Sequence, residues 1–361
     1  MRGGELRPLV LRGDAQRRGA SHGRALASSI REYVEERVAL ACNGSWAGRG
    51  ATRADILGLA EAMLPAHAAY SPELYAEMLA LAEAAGISAA EAVIVGGFTD
   101  FVDAVRALGH AAPEEDDCTA VLVPPGRGGP WFAQTWDMHD TATPHVVLLD
   151  LQPEGQSDEP SALVFSTAGC LGQIGMNDRG LCVGINNLTA ADGRVGVTWP
   201  FVVREVLRQD SLAAALACVL RAPLAGGHDF LLLDAQGRGY NVEAMPTHAA
   251  VTPLAGLPLA HTNHCLDRAC QAREAPRSAE MVTSSLERLA TAERLLADNM
   301  DHAGLEALLR EPGAICRRST PPFHVESSGA VICRPDTREL WAVWGIPADR
   351  PFQRFVVGRH D

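Results

Sequence analysis

The chain has 361 residues, 47% of them hydrophobic and 21% charged, with a formal net charge of -13 at pH 7, which is the composition of a soluble globular protein with a sizeable core. The acidic surplus argues against nucleic acid as a partner, because that binding depends on basic side chains neutralising phosphates. All 31 basic residues are arginine, which excludes Schiff-base lysines, Ser-x-x-Lys nucleophile pairs and the phosphate-cradling Walker loop.

Met1 to Ser29 carry arginines throughout and no apolar run of signal-peptide length. No stretch of about 18 apolar residues follows, so a soluble, cytoplasmic protein without membrane contact is expected. From about Gly23 to Gly109 apolar residues recur three and four apart among Ala, Leu, Glu and Arg, and four helices are predicted there. Ser71-Pro72-Glu73 marks one helix start, and Ser88 with Glu91 forms a capping-box pattern at another. After the acidic run Glu114 to Asp117 the texture changes to short runs of Val, Leu, Phe and Trp between Gly and Pro clusters, so strands begin at Cys118.

Thr119 to Val123 and Trp131 to Trp136 read as neighbouring strands joined by the Gly- and Pro-rich stretch from Pro124 to Pro130. Further strands are predicted at 146–151, 162–166, 172–176, 182–186, 230–234, 240–244, 330–334 and 339–344. Helical texture returns at 200–208, 211–220 and 279–309. Strand runs and helix runs segregate rather than alternate, which favours α+β layers over a doubly wound parallel sheet. Nine scattered cysteines, an odd count without disulfide-framework density, are expected to be reduced thiols.

Cys118 opens the β-rich part. A cysteine at a strand start is commonly a small buried hydrophobe, but its neighbours point elsewhere. Asp117-Cys118-Thr119, followed by Gln134-Thr135-Trp136-Asp137, resembles the acyl-coenzyme A:6-aminopenicillanic acid acyltransferase family. Gly13, Gly19 and Gly23, His261-Thr262-Asn263-His264, Ile315-Cys316-Arg317 and Trp344-Gly345-Ile346-Pro347 resemble further motifs of that family, in the same order. The resemblance implies the N-terminal-nucleophile fold, a four-layer αββα arrangement with two stacked antiparallel sheets. It also implies a precursor that cuts itself between Asp117 and Cys118. A helical fragment, 1–117, and a catalytic β-rich fragment, 118–361, would then stay associated as one structural domain, with homo-oligomerisation left open.

The chemistry is self-consistent. An unperturbed thiol has a pKa of about 8.5 and needs a base, and an α-amino group of pKa about 7.7 to 8.0, created by the cut itself, suits that task. On this reading Cys118 is the nucleophile, forming an acyl-enzyme thioester with a small-molecule amide or acyl thioester, and no cofactor or metal is needed. Asp137 would hold the new amine, Asn263 would donate to an oxyanion, and Arg317 would fork onto a substrate carboxylate or onto Asp137. Thr119, Trp136, Asn186 and His261 are the expected substrate-lining residues.

Two positions depart from the family pattern: Asp117 replaces the glycine that usually precedes the nucleophile, and Thr135 replaces an asparagine. Asp117 motivates one competing reading, an uncut, non-catalytic binding protein of the same fold. His261, His264, Cys265 and Cys270 motivate another, a zinc-dependent hydrolase, since imidazole and thiolate together suit zinc.

Overall fold

The computed structural model describes residues 5–44, 50–107, 118–126, 128–154, 158–321 and 324–358. Strand β1 (Leu9–Arg12) precedes six helices, α1 (Ala15–Ala25), α2 (Ala27–Asn43), α3 (Arg53–Tyr70), α4 (Pro72–Ala85), α5 (Ala89–Gly96) and α6 (Phe98–Arg106). The predicted starts at Pro72 and Ala89 are present, the second with the full Ser88/Glu91 capping box. Two helices more than expected occur, because Leu26 and Gly97 each end one helix and begin the next without a Pro or a loop to mark the break in sequence. Gly19 and Gly23 let α1 lie directly on α4. A Cβ at Gly19 would stand 2.0 Å from the Glu77 carbonyl oxygen, and one at Gly23 2.4 Å from that of Leu81.

The β-rich part contains β2 (Cys118–Gly126), β3 (Gly129–His139), β4 (Val146–Gln152), β5 (Ala162–Thr167), β6 (Ile174–Asn177) and β7 (Cys182–Leu188). Helices α7 (Trp199–Leu207) and α8 (Leu212–Leu220) lead to β8 (Gly227–Leu233), β9 (Gly239–Met245), β10 (His248–Pro253) and β11 (Leu259–His261). Then come α9 (Arg268–Gln271), α10 (Ala279–Leu295), α11 (His302–Leu309), β12 (Val325–Arg334), β13 (Glu339–Trp344) and β14 (Gln353–Val356). The stretch predicted as helical over 279–309 is therefore two helices.

These strands form an eight-stranded sheet, β1-β4-β5-β6-β7-β8-β9-β10, and a six-stranded sheet, β11-β2-β3-β12-β13-β14. Pairing is antiparallel except at one edge, where β1 runs parallel to β4, a departure from the all-antiparallel expectation. Four strands not foreseen, β1, β10, β11 and β14, are sheet-edge strands of three to six residues, too short or too exposed to show a period of two.

The sheets stack face to face. Gln134 on β3 exchanges hydrogen bonds with the backbone of Ile185 on β7, and the Trp136 and Phe165 rings meet edge to face at 6.3 Å. Gly184 and Gly329 make room at this seam, since a Cβ there would stand 2.2 Å from Phe132 and 2.4 Å from Phe165 respectively. The amino-terminal helices with α7 and α8 cover the eight-stranded sheet, and α10 and α11 cover the outer face of the other. The layers are αββα, the four-layer α+β class expected. Among the described residues no single helix is long and apolar enough to cross a membrane.

One buried ion cluster ties the helical segment to the β-rich one. Glu77 on α4 is 1% exposed and takes Arg204 of α7 at 2.8 and 3.1 Å and Arg18 of α1 at 3.3 Å. Burial raises the Glu77 carboxyl, but Arg204 and Arg18 outweigh it and hold the group below its ordinary value. Its stabilising contribution is thus present above the usual carboxylate range and lost as pH falls through the lowered folded value. Glu77→Gln should leave the buried Arg204 without a carboxylate, while Arg18 keeps Glu159, and cost about 3–5 kcal/mol in denaturant unfolding at neutral pH. The gap to wild type should narrow as the titration is repeated toward acid.

Candidate active site

Alternation along β2 sorts its side chains into two environments. Cys118, Ala120 and Leu122 join Phe132 and Trp136 in the core between the sheets, while Val121 and Val123 join Trp131 and Ala133 beneath α10 and α11. Cys118 pairs with Trp136 and Thr119 with Thr135. Asp137, one step beyond Trp136, is therefore level with the amino end of Cys118 and on the helix-covered side of the strand. The Thr119 N–H donates to Thr135 Oγ1 at 3.2 Å, so the hydroxyl that replaces the family's asparagine amide has a structural use.

The main chain of Cys118 is held from both ends. Its N–H donates to Asn263 Oδ1 at 2.6 Å, and its carbonyl accepts from Arg288 Nη1. Arg288 also donates to Asn263 Oδ1 at 3.0 Å and to Thr119 Oγ1 at 3.3 Å. Asn263 is fixed in turn. Its N–H donates to Ser285 Oγ at 3.0 Å, its side-chain amide donates to the Asn187 carbonyl at 3.1 Å, and its own carbonyl accepts from Arg277.

Arg288 belongs to none of the sequence motifs. Its signal lies in α10, whose buried stripe is Met281, Ser285, Arg288 and Ala292. A hydroxyl and a guanidinium at i and i+3 inside an apolar stripe demand buried partners, which Cys118 and Asn263 supply. Arg317, expected to fork onto a substrate carboxylate or onto Asp137, borders the same region. It is half-buried and donates to Ser284 Oγ at 3.4 Å, a hydroxyl that also accepts from Arg288 Nε at 3.4 Å. Arg288, Arg317 and Arg318 border a cavity of about 350 Å³ on this side of the site.

The expected lining residues divide. Thr119 presents its hydroxyl to Arg288, and Trp136 packs in the inter-sheet core. Asn186 is buried on β7, paired with Asp229, and neither heteroatom of its amide finds a hydrogen-bond partner among the described residues. His261 is not open to a ligand. It lies on the inner face beside Ala120 with Nε2 3.0 Å from Glu243 and Nδ1 3.3 Å from Asp229, joining the two sheets. Burial alone would lower this imidazole, yet Asp229 and Glu243 hold it above its ordinary value. The ring is fully buried, with Nε2 bonded to Glu243 and Nδ1 close to Asp229, so it faces the seam between the sheets rather than the cavity beside Arg288.

The four residues of the zinc reading do not converge. His264 turns to Ser285 Oγ at 2.7 Å, Cys265 and Cys270 enter a small apolar cluster with Leu188 and Met245, and His261 is held in its own triad. No disulfide joins any of the nine cysteines. Asp117, on the other side of the expected cut, lies outside the described residues.

A sequence model described as acyl-coenzyme A:6-aminopenicillanic acid acyl-transferase matches residues 125–347, starting downstream of Cys118 and including the Gln134, His261, Ile315 and Trp344 motifs. The acyl-coenzyme A:6-aminopenicillanic-acid-acyltransferase 40 kDa form of Emericella nidulans is 24% identical over 198 residues, 54% of this chain and 52% of that protein. The match thus spans about half of its length. Among solved structures, an N-acylethanolamine-hydrolyzing acid amidase ortholog of Caenorhabditis elegans aligns with a TM-score of 0.42 and 14% identity, covering 61% of this chain and 93% of the other. A mutant conjugated bile acid hydrolase of Clostridium perfringens aligns at 0.43 and 10%, covering 68% and 99%.

Asp137 is fully buried, and burial pushes its carboxyl up to about 7, against the pull of the Ser327 hydroxyl, the Arg288 charge and the Thr135 hydroxyl. A carboxyl raised in the folded state binds protons that the unfolded chain has already lost. Its contribution to stability is complete below its unfolded value near 3.9 and disappears as pH rises through about 7. Replacing Asp137 by Asn in an uncut Cys118→Ala chain should therefore flatten the decline in melting temperature between pH 4 and pH 8. Parallel melting curves for parent and variant across that range would contradict the buried carboxyl.

Proposed function

The chain belongs to the acyl-coenzyme A:6-aminopenicillanic acid acyl-transferase family, and from that premise we propose that it is a self-cleaving cysteine enzyme acting on a small amide or acyl thioester. The observation that carries this reading is the amino end of β2. The nitrogen that cleavage would free is already bound to Asn263 Oδ1, and the carbonyl of the same residue to Arg288. Both partners are side chains rather than a neighbouring strand, so they hold the site of the proposed cut from outside the sheet ladder.

In the uncut chain the Cys118 thiol adds to the Asp117 carbonyl carbon, and its proton passes to the departing Cys118 nitrogen. Water hydrolyses the resulting thioester, leaving a carboxyl terminus at Asp117 and a free thiol and amine at Cys118. Asp117 carries a side chain where glycine would bend freely, so cleavage should be slower than in an Asp117→Gly variant. In turnover the amine takes the thiol proton, the thiolate adds to the substrate carbonyl, and the leaving nitrogen or sulfur departs with that proton. Water or an amine acceptor then releases the acyl group from sulfur.

Two buried amides are available as donors to the oxyanion, Asn263 through Nδ2 and Asn186, whose side chain has no hydrogen-bond partner among the described residues. The cavity bordered by Arg288 and Arg317 suits a carboxylate on the substrate or acceptor. Hydrolysis is the outcome wherever water reaches the thioester first.

Intact-mass measurement of the purified protein should find fragments 1–117 and 118–361 that co-elute under native conditions, with an acyl increment on the second after exposure to donors. Cys118→Ala should give one undivided 361-residue chain without turnover. Turnover by that variant would sink the cysteine mechanism. Asn263→Ala, if it still cleaves, should lose about a hundredfold or more in kcat with KM little changed, because an oxyanion contact is strongest in the transition state. Full kcat in this variant would remove Asn263 from the oxyanion role.

A further inference from the structure

We propose that β10 and the segment leading into α9 form a binding site for a divalent cation of the zinc class, with His248, Asp267 and Cys270 as its protein ligands. One donor atom of each lies within 4.8 Å of the other two, and His248 Nε2 stands 4.0 Å from Asp267 Oδ1. An imidazole nitrogen, a carboxylate oxygen and a thiol sulfur are the three donor types zinc takes, commonly three at a time with a fourth position left to water.

The surroundings favour the donors as they stand. His248 is the first residue of β10, an edge strand whose other face is open, and its side chain is partly exposed. Asp267 accepts the N–H groups of Ala269 and Cys270 on Oδ1 at 2.8 and 3.0 Å, which orients the carboxylate before any cation arrives. Cys270 is buried at the floor of the site, its thiol donating to the Glu243 carbonyl at 3.6 Å. Donors of a tetrahedral zinc site stand roughly 3.5 Å apart, given bonds of about 2.0 to 2.3 Å. The needed closure is about 1 Å and falls on His248 and Asp267, the two partly exposed side chains. On binding, Cys270 gives its proton to solvent and exchanges its hydrogen bond to Glu243 for a sulfur–metal bond, so affinity rises with pH.

This site is separate from Cys118 and independent of whether the chain cleaves. It is connected to the candidate active site through Glu243, whose carboxylate accepts the Leu266 N–H at 2.5 Å and the Asp267 N–H at 2.9 Å while pairing with His261. A bound cation would therefore pin the stretch that begins at Asn263.

The test uses the full-length Cys118→Ala chain, so that the proposed nucleophile cannot act as a ligand. Cobalt(II) serves as the spectroscopic probe, and zinc is titrated against a chromophoric chelator. One equivalent should bind, with a thiolate-to-cobalt charge-transfer band in the near ultraviolet. Cys270→Ser should abolish that band, and His248→Ala, a change on an exposed edge strand that spares the core, should weaken binding at least about tenfold. Cobalt bound without the thiolate band, affinity unaltered in His248→Ala, or no stoichiometric binding would each overturn the proposal. A failure here leaves the cysteine mechanism standing, since its readout is fragment mass and turnover.

Discussion

A guanidinium taken out of water must be met by acceptors, and the acceptors that meet Arg288 are the parts of the candidate site. Its side chain is 1% exposed, and it binds the Cys118 carbonyl, Thr119 Oγ1 and Asn263 Oδ1. Removing one partner of such a buried charge costs about 3–5 kcal/mol in comparable cases. Strand β2, the turn after β11 and helix α10 are therefore fixed relative to one another by one side chain. The precision needed at the amino end of Cys118 follows from a stability requirement as much as from a catalytic one.

How much of this the sequence could reveal depended on whether a residue sits in a local pattern. Cys118, Asp137 and Asn263 stand in short motifs with fixed neighbours, and the structure places Asn263 on Cys118 although 145 residues separate them. The α+β class was legible from the abrupt change of texture at Cys118 and from the segregation of strand and helix runs, whereas the two-sheet, four-layer arrangement was implied only by the family resemblance. Arg288 was not legible, because a helix with one charged residue in its buried stripe looks like any amphipathic helix until the burial is known. Arg317 drew attention for the opposite reason: it sits in a recognisable three-residue motif, and it shares the Ser284 hydroxyl with Arg288. His261 shares a motif with Asn263 but faces the other sheet, so adjacency in sequence conveyed a role that alternation along β11 denies it.

The tie between the helical and β-rich segments has the same character as the site itself. Arg18 and Glu77 belong to the part before Cys118 and Arg204 to the part after it, and all three are almost fully buried. The main apolar core draws residues from both parts, among them Ile30, Leu74 and Phe101 on one side and Val164, Phe230 and Leu232 on the other. A cut at 117/118 would break one peptide bond and none of these contacts. Under the proposed processing the chain could gain a terminus at its centre without separating its halves, because the interactions that hold them together are distributed far from the junction.

Charge placement around that terminus bears on how the amine could act as a base. Asp137 and Asp229 are both carried by burial to about 7, but they belong to different sheets and answer to different cations. Asp229 shares His261 with Glu243 and belongs to a seam between the sheets, whereas Asp137 feels Arg288. An α-ammonium formed at Cys118 would stand near Arg288, a like charge that lowers its pKa, and near Asp137, an opposite charge that raises it. Burial pushes Asp137 toward its protonated form, which weakens its pull on such an ammonium and leaves the Arg288 charge to favour the neutral amine. As Asp137 ionises, the balance moves toward the ammonium. Under the proposed processing the basicity of the amine would be set by its coupling to Asp137 and by Arg288 rather than by the amine alone.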